Sequence, residues 1–280
     1  MSDAHSCKNQ AERAAAEIRG ALDVRHSHPV CVILGTGWGD ALELEDARGL
    51  PFSSIPGFSS LQEIAGHARR VECGKLAGRE ILALRGRVHL NEHPNDPEIS
   101  LMVRLQTEML IAAGVQTLIV TCAAGSLNTN LAPPRHVCVT DGFVTMFAPP
   151  MPLFAGEFCS PEDALDRRLI EKVIKDTRQP GHFDKWVAIG GHVMVRGPFF
   201  EGRRYDKQFL ASTGARTVGM STLPEACVAA LFGAKVLALA YVSNDDKETH
   251  SHEENVRRAR EDAEYLSAFI ESAVRLIPQD

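Results

Sequence analysis

The sequence contains no run of about 18 uninterrupted apolar residues, the length a membrane-spanning helix requires, so no span is expected. Its first stretch, MSDAHSCKNQAERAAAEIRG, lacks the apolar core of a secretory signal. The seven cysteines include no C-x-x-C pair, and their odd number and scatter suit reduced thiols in a cytoplasmic protein better than a disulfide framework. Basic residues are not in excess. Lys and Arg number 30 against 36 Asp and Glu, and the net charge of −6 argues against a nucleic-acid partner. Repeats, low-complexity tracts and long Gly/Ser linkers are also missing. What remains is ordinary globular composition, 44% hydrophobic and 24% charged over 280 residues, enough for a sizeable core. We read it as one domain, residues 1–280, with residues 1–25 as an N-terminal helical extension.

Residues 8–22 carry Ala and Ile at helical spacing. VCVILG (30–35) reads as a buried strand and RRVECGKLAGREILALRG (69–86) as a hairpin around KLAG. ISLMVRLQTEMLIAAG (99–114) reads as a helix closed by Gly114. TLIVTC (117–122), HVCVTD (136–141) and WVAIGGHVMVRG (186–197) are strand-like, and the Pro-, Phe- and Met-rich stretch 143–161 is a long loop of the kind often used for function. LPEACVAALFGA (223–234) is a helix and KVLALAYVSN (235–244) a buried strand. The periodicity then predicts one helix over 251–277, with Val256, Ala259, Ala263, Leu266, Ile270, Ala273 and Ile277 on one face and Ser251 with Glu254 as an S-x-x-E capping box. Strands alternating with helices give an α/β fold with a mixed, largely parallel sheet, whose ligands collect beyond the carboxyl ends of strands. Polar clusters follow Leu34, Val120 and Val242 at such ends.

The first of these is GTGWGD (35–40). A dinucleotide fingerprint needs G-x-G-x-x-G and an acid about twenty residues on. Here the pattern is G-x-G-x-G, and LPFSSIPGF supplies no suitable acid. Two readings stay open: a small-anion site built from backbone N–H groups and the Thr36 hydroxyl, or a plain strand-ending turn. GRVHLNEHP places Arg87 and His89 two apart, on one face if the segment is extended, and Arg is a fixed bidentate phosphate donor. A solvated turn is the alternative there, and ordinary surface the alternative for His67 in AGHARR. Ala123, Ala124 and Gly125 in TCAAGSLN are small enough for close approach to the backbone, or for tight packing. GPFFEG sets Phe200 beside Glu201, VGMSTLPEA sets Met220 and Ser221 before a helix, and VSNDD ends a strand at Asn244. An aromatic ring, a carboxylate, an amide and a soft thioether suit a flat heterocyclic base.

GTGWG, GHA, GRVHLNE, TCAAGSLN, GPFFE, VGMSTLPEA, SN and HEEN stand in the order found in the trimeric purine nucleoside phosphorylases, and the chain resembles that family from about Val30 onward. The family also holds the methylthioadenosine phosphorylases. The resemblance implies an α/β domain whose twisted mixed sheet closes partly into a barrel surrounded by helices. It implies a homotrimer, and phosphorolysis of purine nucleosides to free base and ribose 1-phosphate, with phosphate as co-substrate and no metal or organic cofactor. Thr36, His67, Arg87, His89, the Ala123 backbone and Ser221 would bind phosphate, with Glu92 supporting the phosphate-binding histidine. Met220, Asn91 and His252 would lie by the ribose, and Phe200, Glu201 and Asn244 by the purine. His89, Glu201 and Asn244 would carry the catalysis. The chain departs from the family at Asn91, where a tyrosine is usual, and in a shortened stretch before His252, which makes His250 a rival. Phe147, Phe154 and Phe158 are candidates for the phenylalanine lent by a neighbouring subunit. Glu201 and Asn244 suit a 6-oxopurine nucleoside. The shortened stretch, Asn91 and Asp246 keep 5′-methylthioadenosine open, and a purine-binding protein without turnover is a further alternative. A metal site on THSHEEN is disfavoured, because His250 and His252 would point to different sides of a regular helix.

Overall fold

The computed structural model describes residues 4–25, 30–58, 61, 68–93, 95–179, 181, 183, 185–197, 202, 204–245 and 251–278, with the backbone alone at His252. Among them nine strands form one sheet: β1 (Val30–Leu34), β2 (Glu45–Pro51), β3 (Arg70–Leu76), β4 (Arg79–Arg85), β5 (Thr117–Ser126), β6 (Val137–Val144), β7 (Ala188–Met194), β8 (Thr217–Gly219) and β9 (Lys235–Asn244). Their order is β2-β3-β4-β1-β5-β8-β7-β6-β9, and β9 also pairs with β5. That extra pairing closes β5, β8, β7, β6 and β9 into a five-stranded barrel, with the other four strands as an open wing. The partial barrel expected from the family resemblance is therefore present. β5 achieves the closure by changing partners along its length. Its first residues pair with β1, residues Thr117–Gly125 run along β9, and its end meets β8 antiparallel at Gly125 and Ser126.

β1 and β9 are apolar nearly throughout and are buried along their length, β9 after Lys235, as expected of strands covered on both faces. Around the sheet lie α1 (Ala4–Leu22), α2 (Pro97–Ala112), α3 (Arg167–Thr177), α4 (Asp206–Ser212), α5 (Leu223–Phe232), α6 (His252–Glu261) and α7 (Ala263–Leu276). α1 turns Ala11, Ala14, Ile18 and Leu22 inward and packs on α2. α2 starts at Pro97 rather than at Ile99, because the Asp96 carboxylate accepts from the Glu98 N–H and proline fits the first turn.

The predicted single helix over 251–277 is two helices, α6 and α7, broken at Asp262. Ser251 caps the first as expected, accepting from the Glu254 N–H at 3.1 Å, but the Glu254 side chain turns to Arg258 instead of closing the box. The break has a physical cause off the helix. The Asp262 carboxylate is buried and accepts from Arg135 (3.0 and 2.8 Å), Lys185 (2.8 Å) and the Tyr241 hydroxyl (2.7 Å). Burial alone would raise its pKa, but these hydrogen bonds outweigh burial and hold it down at about 2. Its folded pKa lies below its ordinary value of 3.8, so the pairing stabilises above about pH 4 and is lost as pH falls through 2. Asp262→Asn is expected to cost about 1–3 kcal/mol at neutral pH, less than a fully enclosed pair because Arg135 reaches solvent. The variant's loss should shrink in acid. Urea midpoints at pH 7 and pH 3 check both statements.

Candidate active site

The glycine turn after β1 is shaped by what surrounds Gly35. A Cβ there would stand 2.3 Å from the Thr121 carbonyl oxygen and 2.7 Å from Arg87 Nη2, so only glycine allows the backbone this close. The Gly35 N–H donates to Thr121 Oγ1 at 3.0 Å, and Trp38 Nε1 donates to the Cys122 carbonyl at 2.9 Å. Both contacts hang the turn on β5. Below it Arg85 donates to the carbonyls of Gly39 and Leu42, and Arg260 of α6 pairs with Asp40 at 2.9 Å.

Arg87 is the centre of the site. It is 1% exposed. Its guanidinium donates to Glu225 Oε1 at 2.8 Å, to the Thr121 carbonyl at 2.6 Å and to Ser221 Oγ at 3.1 Å. Ser221 stands immediately before the N-cap of α5, so the hydroxyl and the guanidinium meet where a helix presents its unsatisfied N–H groups and positive dipole end. His89 follows, half-buried, its backbone N–H held at 2.9 Å by Glu92 Oε1, while the other Glu92 oxygen accepts from Arg69. Glu92 thus fixes the His89 segment. A cavity of about 370 Å³ opens here, with Gly35, Thr36, Arg87 and His89 on its walls and Val256 and Arg260 of α6 across from them.

Asn244 ends β9 beside Gly125 and is 4% exposed. Its Oδ1 accepts from Ser243 Oγ at 3.2 Å and its Nδ2 donates to the Asp245 carbonyl at 3.1 Å, which orients the amide. Met220 lies half-buried on the turn after β8. Asn91 packs on Gly197, and its Oδ1 is buried without a partner. Among the positions singled out from sequence, Thr36, Arg87, His89, Ser221 and the β5 segment with Ala123 are thus gathered at the ends of β1, β4, β5 and β8. His67, Phe200, Glu201, Asp246, His250 and the His252 side chain lie outside the described residues. Arg87 and His89 lie past the end of β4 rather than on a strand, and the irregular segment they occupy still brings both to one cavity.

This architecture has relatives. Residues 29–275 match the family model described as Phosphorylase superfamily. Purine nucleoside phosphorylase 1 of Bacillus subtilis is 33% identical over 246 residues, covering 85% of this chain and 86% of that protein. The chain belongs to the purine nucleoside phosphorylases of the phosphorylase superfamily. As a member it is an enzyme, a pentosyltransferase. The purine nucleoside phosphorylase of Bos taurus is 31% identical over 264 residues, 89% of each chain. Isoform 2 of the Schistosoma mansoni purine nucleoside phosphorylase, crystallised with cytosine and ribose 1-phosphate, superposes with a TM-score of 0.81 at 27% identity over 97% of this chain and 98% of that one. The Schistosoma mansoni enzyme has also been crystallised with inosine and with adenosine.

Two members of this candidate site escape a reading by motif. Glu225 neutralises Arg87, and it is the one charged residue in the apolar helix LPEACVAALF. A lone buried carboxylate needs a cation, which was the available signal. Thr121 holds both Gly35 and Arg87, but within TLIVTC it looks like any β-branched strand residue.

Proposed function

We propose that the chain catalyses phosphorolysis of 6-oxopurine nucleosides, inosine and guanosine, to free base and ribose 1-phosphate. The observation that carries this reading is the convergence of Arg87, Ser221 and the α5 N-terminus beside a glycine turn whose Gly35 admits no Cβ. Backbone N–H groups, a hydroxyl and a guanidinium suit one small oxyanion. In the proposal phosphate is held by Thr36, His67, Arg87, His89, the Ala123 N–H and Ser221. The ribose lies against Met220, Asn91 and His252, and the purine against Phe200, Glu201 and Asn244. Breaking the N-glycosidic bond builds positive charge on the ribose and negative charge on the departing purine. Phosphate held at the anomeric carbon stabilises the first and is itself the nucleophile, so proximity supplies much of the rate. Asn244 donates to purine N7 and stabilises the second. Glu201 accepts from N1–H and the 2-amino group. Adenine has no N1–H and would set a lone pair against that carboxylate, which supports the 6-oxopurine choice. The reaction asks for no metal or organic cofactor.

A homotrimer is part of the proposal. Met146, Phe158 and Phe209, at 85%, 92% and 60% exposure, put large apolar side chains at the surface around the long loop, the kind of surface a partner subunit covers. The test of activity is base release from inosine, guanosine and 5′-methylthioadenosine, with and without phosphate. Phosphate-dependent release from the first two is expected. Release from methylthioadenosine alone would replace the base assignment and leave the phosphate site standing. Tight base binding with no release would point to a binding protein.

A further inference from the structure

Behind the phosphate site the barrel carries a second row of buried polar groups. His192 on β7 is the register partner of Thr217 on β8, and Thr217 is the partner of Ser126 on β5. Partners in register share a face of the sheet, and all three residues are fully buried. His192 Nδ1 lies 2.9 Å from Thr217 Oγ1. His192 Nε2 makes no hydrogen bond of ideal geometry, and a buried polar atom left so is costly and calls for a reason.

The ring points at the turn that carries the substrate-side residues. A Cβ on Gly219 would lie 3.0 Å from His192 Cε1, 3.1 Å from Nε2 and 3.5 Å from the Ala123 carbonyl oxygen. Gly219 is therefore where the imidazole closes on the backbone that leads through Met220 and Ser221 into α5. That backbone is under tension. Thr222, a β-branched residue, has φ +82°, and its hydroxyl is also buried without a partner. The Ser221 backbone hydrogen-bonds the ring in the sense that favours its protonated form, as a carbonyl acceptor does. A lone pair on Nε2 would face carbonyl oxygen, whereas an N–H complements it, so the Thr217 hydroxyl donates to Nδ1 and the proton sits on Nε2. Burial, and then the charge of Arg87, pull the His192 pKa down to about 4, so the ring is neutral at pH 7.

We infer that His192 is a positioning residue of the phosphate site: its Nε2–H, oriented by Thr217, fixes the backbone of the Gly219–Thr222 turn and thereby the direction in which Ser221 and the α5 N-terminus meet the anion. The inference rests on the phosphorolysis reading for its kinetic consequence. His192 does not touch substrate in this scheme, and phosphate affinity depends on it more steeply than nucleoside affinity, because Ser221 meets the anion directly while Met220 of the same turn meets only the ribose.

Three variants separate the nitrogens. His192→Asn places a polar atom near Nδ1 alone, His192→Gln reaches the place of Nε2, and His192→Phe keeps a ring without either. Loss of the oriented imidazole corresponds to about a tenfold rise in KM for phosphate in the Asn and Phe variants, with a clearly smaller rise in KM for nucleoside, and with His192→Gln staying within about threefold of wild type in both. The rise in Tm on adding inorganic phosphate, read on the same four proteins, should be lost in the Asn and Phe variants and kept in Gln. Parallel rises in both KM values, or a Gln variant no better than Phe, would overturn the inference. If His192→Phe does not fold, the contrast between Asn and Gln decides alone. A wild type that releases no base but gains Tm from phosphate would sink the phosphorolysis reading and leave the Tm comparison to judge His192. A wild type without that gain would sink both.

Discussion

Arg87→Ala is expected to abolish phosphate-dependent turnover and to threaten the fold as well. The guanidinium is enclosed with Glu225, at 1% and 3% side-chain exposure, and also holds the Thr121 carbonyl and Ser221 Oγ. Deleting it leaves the Glu225 carboxylate buried with no cation, and breaking a buried pair from one side costs about 3–5 kcal/mol. That is a large share of a typical domain's stability of about 5–15 kcal/mol. The Glu225 Oε2 atom already lacks a partner, so no other donor stands ready to take over. The two effects come apart in other variants. Arg87→Lys keeps a charge near Glu225 but loses the planar fork that spans Thr121 and Ser221, so the protein should fold with KM for phosphate raised by about a hundredfold. Arg87→Leu combined with Glu225→Leu removes both charges, and an apolar replacement of a buried pair is often neutral. The double variant should recover most of the Tm lost in Arg87→Ala and none of the phosphate dependence. Tm and phosphate titrations on the three proteins carry the comparison. A double variant with wild-type phosphate dependence would remove Arg87 from the site.

Much of this arrangement is legible in the sequence because it rests on local chemistry. A run such as VCVIL announces a buried strand, KLAG an antiparallel turn, Ser251 a helix start, and each holds in the structure. Short motifs on separate strand ends also announce that they belong together, since open α/β sheets gather ligands there. What the sequence conceals depends on partners far along the chain. β2, EDARGLP, has no apolar alternation, and it exists as an exposed edge because β3 offers it a ladder. β8 is only Thr217–Gly219, too short for periodicity, yet it carries the barrel from β5 to β7. The break at Asp262 follows from Arg135 and Lys185, both more than seventy residues away, and no pattern within 251–277 reveals them. Likewise GRVHLNEHP offers Arg87 as a phosphate donor or as part of a solvated turn, and nothing in it reveals that Glu225 and Thr121 close around the guanidinium.

Asn244→Ala is expected to lower kcat by about 10²–10³, the range seen when one preorganised donor to a developing anion is removed, while KM for phosphate stays near wild type. The amide is set for this role before any base arrives. Ser243 Oγ donates to Oδ1, and that bond fixes which end of the amide is the acceptor and which carries the N–H groups. Ser243 is in turn tied into the sheet by its contact with the Ala124 carbonyl at 3.4 Å, and its own carbonyl accepts from Arg258 Nη1 at 3.0 Å. One Nδ2 proton goes to the Asp245 carbonyl, which leaves the other for purine N7. Ser243→Ala should therefore loosen the amide without deleting the donor, and a fall in kcat of about three- to tenfold corresponds to losing one neutral hydrogen bond. The order of the two effects is the informative result. A large loss for Asn244→Ala with a small one for Ser243→Ala fits a donor and its support. Equal losses would mean that Ser243 itself faces the base. An Asn244→Ala enzyme that keeps its kcat would place the stabilisation of the leaving purine elsewhere, on another donor or on solvent.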